Sequence, residues 1–273
     1  MTRHEATDSM DYSRYTQLRV AKAAGIATLT IDSGEKMNPV NAELHHELGT
    51  VFQQLAVDNE VKVIIFTGAN GAFCAGANLN WVRAQHANPP PVHEARSSAR
   101  AIVLGILDCP KPIIARVNGD AIGLGASLAL LSDIIIADEN ARIADPHVRI
   151  GLVAGDGGSL IWPLLIGYAR AKEFLLTGNT VSAPDAARMG LINYAVPTAE
   201  LDEKVNKFAR QLAEGASLAI QFTKTSTNIP LKQAVESVLE SSLALEVLTF
   251  RSADVGEGVS AFLERRKPVF QGR

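Results

Sequence analysis

The stretch Pro112–Asp138, PIIARVNGDAIGLGASLALLSDIIIAD, decides the fold. Pro112 to Val117 is a short β-favouring run closed by Asn118-Gly119. Gly123-Leu124-Gly125-Ala126 then opens an apolar helix through Leu131, and Ile134-Ile135-Ile136 forms another strand. Strand, glycine loop, helix and strand in that order predict an α/β core with right-handed crossovers. Upstream, Val61 to Phe66 reads as a compact buried strand closed by Thr67-Gly68 and followed by a second glycine-rich turn, Gly71-Ala72-Phe73-Cys74-Ala75-Gly76-Ala77-Asn78-Leu79.

Further out, Leu18 to Ala23 and Ile26 to Ile31 flank Ala24-Gly25 and predict a hairpin. Leu44, Leu48, Val51 and Leu55 fall at helical spacing behind Asn41, a fitting N-cap. Asn88-Pro89-Pro90-Pro91 interrupts any helix before a helical run from Val92 to Leu107. From Pro163 onward helical signals dominate, with one stripe at Leu201, Val205, Phe208 and Leu212 and another at Leu231, Val235, Val238 and Leu245. No repeat of fixed period is present.

A chain of 273 residues with 47% hydrophobic and 20% charged residues can bury a sizeable core, and 5% aromatics make that core mainly aliphatic. The net charge of −3 offers no general attraction to nucleic acid or anionic membranes. Two cysteines, Cys74 and Cys109, are too few for a disulfide scaffold or a four-cysteine zinc site. A reducing, cytoplasmic location is expected. Residues 1–14 read as a flexible tail, since the first residues carry charges without an apolar run. The longest apolar stretch, Ala121 to Ala137, is broken by Gly123, Gly125, Ser132 and Asp133 and falls short of a membrane span.

Small residues in the two glycine turns let backbone approach a ligand, and amides at a helix start point outward without intrahelical partners. Together the turns can hold one developing negative charge; taken singly, each reads first as a tight packing corner. Gly123 and Gly125 match part of a dinucleotide fingerprint, but the third glycine would fall at Leu128 and the loop does not follow the first strand. Neither a phosphate-binding GxxxxGK[ST] loop nor an HExxH zinc helix occurs. Asp145-Pro146-His147 and Gly155-Asp156-Gly157-Gly158 supply a histidine and a carboxylate suited to proton transfer if the fold brings them together; loop His and Asp residues otherwise cap or face solvent. Cys74 reads as packing more than as a nucleophile. His45 and His46 point about 100° apart on a helix and make poor partners for one metal. Trp162 is expected in the core or on a pocket wall.

GAFCAGANL (71–79), CPKPIIARVNGDAIGLGASLALLSDIIIAD (109–138) and EGVSAFLERRKPVF (257–270) resemble, in order and spacing, the signature stretches of the crotonase, or enoyl-CoA hydratase/isomerase, superfamily. The resemblance implies a spiral of ββα units over 15–198 and a helical oligomerisation and CoA-contacting region over 199–273, assembled as a homotrimer or dimer of trimers. It implies an oxyanion hole from the backbone N–H groups of Ala77 and Leu124, such donors being worth about 3 kcal/mol each. It also implies CoA contacts from Ala75, Phe262 and Arg265, an acyl-CoA substrate, and neither a cofactor nor a metal.

The family's two hydratase glutamates fall at Ser127 and His147, so hydration by two glutamates is not expected. The 145–163 region resembles instead 6-oxocamphor hydrolase and related β-diketone hydrolases, which use a His/Asp pair in retro-Claisen cleavage. That resemblance implies that His147 activates water and Asp156 orients its imidazole. Three functions follow: an acyl-CoA enzyme with a His147/Asp156 pair, a β-diketone C–C hydrolase, or a non-catalytic acyl-CoA-binding oligomer. Asp120 is expected as a turn residue or a polar contact on the pocket wall.

Overall fold

The computed structural model describes residues 9–273. Residues 1–8 of the expected tail lie outside them. From Ser9 onward the chain is fastened to the body: Ser9 Oγ donates to Glu60 at 2.7 Å and the Tyr12 hydroxyl donates to Asp58 at 2.9 Å.

β1 (Leu18–Ala23) and β2 (Ile26–Ile31) form the predicted antiparallel hairpin. Its turn, Ala24-Gly25, has both residues at positive φ. α1 (Ala42–Val57) starts where expected, with Asn41 Oδ1 accepting from the Leu44 amide at 2.9 Å. β3 (Val63–Gly68) lies parallel to β2 and is buried throughout, as a run without polar alternation requires. Two helices follow, α2 (Leu79–Ala87) and α3 (Val92–Asp108), split by the proline run. The deciding stretch folds as β4 (Ile113–Val117), a short β5 (Ala121–Ile122), α4 (Leu124–Leu130) and β6 (Ile134–Asp138).

β7 (Arg142–Ala144) leads into a single 3-10 turn, His147–Ile150, and then α5 (Gly158–Ile166), α6 (Tyr168–Thr177), β8 (Thr180–Ser182), α7 (Ala183–Met189) and β9 (Tyr194–Val196). α8 (Thr198–Glu214), α9 (Ser217–Phe250) and α10 (Ala253–Leu263) complete the chain. The main sheet runs β1-β2-β3-β4-β6-β9, parallel after the first hairpin, and a small sheet pairs β5, β7 and β8. None of the described helices is long and apolar enough to cross a membrane.

Both faces of the main sheet are covered. Ile64, Phe66, Ile113 and Ala115 point into the main core with α1 and α3, where Phe52, Phe66 and Phe73 stack edge to face. Val63, Ile65, Ile114 and Ile136 meet α8. Trp162 is fully enclosed against Phe174 in the core.

Two expected stripes are displaced. On α8 the fully buried line is Leu201, Val205, Ala209 and Ala213, with Phe208 and Leu212 only flanking it, because small residues let this helix sit close on the sheet. On α9 the buried side is Val235, Leu239, Ser242 and Leu243, while Val238 is 44% and Leu245 is 53% exposed. α9 packs on the rest of the chain along one side, so apolar residues elsewhere on it remain in the open.

Candidate active site

The two glycine turns are stitched to each other. The Cys74 amide donates to Asp120 O at 3.1 Å, and the Ile122 amide donates to Cys74 O at 2.9 Å. A Cβ on Gly76 would stand 2.7 Å from Ile122 O, and one on Gly125 would stand 2.3 Å from Cys74 O, so the close approach requires glycine at both places. The segment around Ala77 is held from its other side: Val40 N–H donates to Gly76 O at 2.7 Å and Asn78 N–H to Val40 O at 2.8 Å. This pattern skips the Ala77 amide. The Leu124 amide, first in α4, has no residue four positions back in the helix to accept from it. Both residues line one cavity of about 810 Å³.

His147 reaches the same cavity from the 3-10 turn after β7, its Cε1 only 3.5 Å from where a Gly123 Cβ would stand. Its Nδ1–H donates to Asp145 Oδ1 at 2.5 Å, and its Nε2 lies 3.7 Å from Asp156 Oδ2. The sequence-based expectation that Asp156 orients the imidazole is therefore corrected. Asp145, fully buried and two residues away, holds the ring; Asp156 stands at the opposite nitrogen, on the cavity side. Ser127 Oγ donates to Asp156 Oδ1 at 3.5 Å, so the side chain at the first hydratase-glutamate position now supports a carboxylate.

Glu246, from the C-terminal end of α9, joins the group. His147, Asp156 and Glu246 each place a polar atom within 4.8 Å of the others. Nothing in the local sequence marks Glu246, an acidic residue in a long helix. The run Gly155-Asp156-Gly157-Gly158 explains its arrival, because each glycine makes room for one member of the cluster. A Cβ on Gly155 would meet Glu246 Oε2 at 2.6 Å, one on Gly157 would meet Ser127 Cβ at 2.8 Å, and one on Gly158 would meet Asp145 Oδ2 at 1.7 Å. The latter places the buried Asp145 carboxylate beside the first residue of α5, where helix-end amides favour negative charge.

Charge state follows from this packing. Burial alone would strip the proton from His147, but Asp145, then Asp156, outweigh it and the pKa rises to about 10. Burial pushes the Asp156 carboxyl up despite the imidazolium beside it. Glu246 is raised well above the ordinary glutamate range by burial and then by Asp156. The packing thus favours the charged form of His147 and, through burial, the protonated forms of Asp156 and Glu246. The three side chains have the spacing of a ligand set, which the imidazole could join only by giving up its Nε2 proton.

The remaining expected residues divide. Ala75 and Phe262 line the cavity, whereas Arg265 is exposed and outside its lining. Arg266 lines it instead, paired with Glu257 at 2.5 Å and Glu264 at 2.6 Å. Asp120 is both wall and brace, its carboxylate pairing with Arg142. Cys74 is fully buried and burial pushes its thiol up to about 12, which suits packing and not nucleophilic attack.

Residues 21–273 match the family model described as enoyl-CoA hydratase/isomerase. A probable enoyl-CoA hydratase of Rhodobacter capsulatus is 36% identical over 95% of this chain and 99% of its own length. An enoyl-CoA hydratase/isomerase structure from Mycobacterium paratuberculosis superposes with a TM-score of 0.86 at 36% identity, covering 90% of this chain and 98% of the other. A β-diketone hydrolase from the cyanobacterium Anabaena, solved with (S)-3-oxocyclohexyl acetic acid, gives a TM-score of 0.82 at 28% identity over 88% of this chain and 96% of its own. With the signature loops joined around one cavity and the match running through the C-terminus, the chain belongs to the enoyl-CoA hydratase/isomerase, or crotonase, superfamily.

Proposed function

We propose that the protein acts on an acyl-CoA thioester, holding its carbonyl oxygen at the Ala77 and Leu124 amides while the cluster around His147 moves a proton. The observation that carries this reading is that Ala77 and Leu124, whose amides have no backbone partner among the described residues, line one cavity with a His147–Asp156–Glu246 cluster. As an α-proton leaves, charge flows to the thioester oxygen, and preorganised N–H donors in a water-poor pocket stabilise it. The ionised carboxylate of the Asp156/Glu246 pair takes the proton and becomes the neutral acid. The His147 imidazolium, fixed by Asp145, favours the ionised base before the transfer and can return a proton from Nε2.

The missing hydratase glutamates thus leave no shortage of carboxyls: Asp156 and Glu246 come from other elements. Ala75, Phe262 and Arg266 on the cavity wall support a CoA-bearing substrate, with coenzyme A entering as part of that substrate and no further cofactor required. Leu218, Phe222, Leu245 and Leu248, all more than half exposed along α9, support assembly as a homotrimer or dimer of trimers.

A second reading is favoured by the position of His147 between carboxyls and by the β-diketone hydrolase among the structural relatives: C–C hydrolysis of a β-diketone, with the same amides holding the departing enolate. A panel of enoyl thioesters, β-ketoacyl thioesters and diketones separates the two. Turnover of a thioester, or solvent deuterium entering its α-carbon, supports the first; cleavage confined to diketones replaces it with the second. Thioester binding without turnover or exchange identifies a non-catalytic binder.

A further inference from the structure

A second imidazole faces this cavity and has no part in the chemistry above. His45 lies on α1, its ring 5.4 Å from that of Trp81 on α2 and tilted to it by 53°. Its Nδ1 is 3.3 Å from Ser98 Oγ on α3. All three residues line the cavity, with Gln85 beside them. Among the described residues nothing pairs with His45 Nε2, and burial, with His46 adding to it, lowers the pKa to about 4. The ring is neutral at working pH. Whichever tautomer Ser98 selects, Nε2 presents one hydrogen-bonding function in a fixed direction.

Such a nitrogen discriminates by what it would lose. A plain alkyl chain packed here would dry Nε2 without pairing it, and a buried polar group left unpaired costs free energy that its paired form does not. An oxygen on the chain removes that cost, while the flat face of Trp81 covers the neighbouring carbons. We propose that His45, steadied by Ser98 and backed by Trp81, is a specificity-determining residue that receives a second oxygen of the substrate, so that the preferred acyl group is hydroxy- or oxo-substituted.

The inference rests on the thioester reading and is tested so that the two can fail separately. Calorimetric titration of the native protein with saturated CoA thioesters of equal chain length, with and without a chain hydroxyl or ketone, is expected to show at least about tenfold tighter binding of the oxygenated member. His45→Phe, which keeps a ring against Trp81, is expected to abolish most of that preference, and Ser98→Ala to reduce it. Equal native affinities, or an undiminished preference in His45→Phe, overturn the His45 assignment and leave the thioester reading standing. If no thioester binds, the thioester reading falls, and a cyclic diketone compared with its monoketone then decides for or against His45.

Discussion

His147 and His45 line the same cavity, yet one titrates near 10 and the other near 4. Both rings are enclosed, and enclosure by itself lowers an imidazole pKa. The difference lies in their company. His147 has Asp145 at one nitrogen and Asp156 near the other, with Glu246 beyond. His45 has a serine, an indole and a second histidine. One ring therefore stands among carboxyls and the other beside a hydroxyl and an indole, although the residue type is the same.

The largest effect is expected at the charged corner. His147→Ala and Asp156→Asn should each lower turnover by at least about a hundredfold if the cluster performs acid–base catalysis, whereas His45→Phe should act mainly through the choice of substrate. Steady-state kinetics on the best substrate of the panel makes the comparison, and wild-type turnover in either charged-corner variant would end the assignment.

Asp145→Asn removes the contact that makes the two rings differ most. The His147 pKa is expected to fall from about 10 towards the ordinary histidine value, read from the imidazole proton resonances against pH. Activity should drop by about tenfold or more, since the ring loses both its orientation and its charge. An unmoved resonance would show that Asp156 and Glu246 suffice.

Gly155→Ala probes how closely α9 can approach, because the added methyl would meet Glu246 Oε2 and Ser242 O, both at 2.6 Å. Turnover is expected to fall by about tenfold, with a stability loss of about 1–3 kcal/mol in chemical denaturation. Retained activity would exclude Glu246 from the proton-moving group.

A separate effect is in stability against pH, where the two rings should pull in opposite directions. His147 is raised on folding, so its contribution is fully present below the unfolded value of 6.5 and is lost as pH rises through about 10. The raised Asp156 and Glu246 carboxyls also favour the protonated side. His45 is depressed on folding, so its contribution is present above 6.5 and lost as pH falls through about 4. Thermal melts across this range should show His147→Gln flattening the alkaline arm and His45→Phe the acid arm. Exchange of the two effects would reverse the assignment of charge.

Much of this was legible in the chain because local rules dominate locally. The hairpin at Ala24-Gly25, the Asn41 cap, the proline break before α3 and the strand–loop–helix–strand of 112–138 all follow from neighbours in sequence. Ala77, Leu124, His147 and Asp156, which the loop motifs marked, all line one cavity. The exposure of Val238 and Leu245 was not legible, since helical periodicity says that a face is apolar without saying which neighbour covers it.

Sequence alone determined the α/β order of elements, the glycine turns and the types of residue available for proton transfer, because these depend on contacts within a few positions. Only the tertiary structure decided the contacts: that Asp145 pairs with His147, and that Asp156, Glu246 and His45 line the same cavity. Their effects depend on distances between segments up to a hundred residues apart. Burial and charge act through space, and a pKa is set by what packs around a group, wherever it stands along the chain.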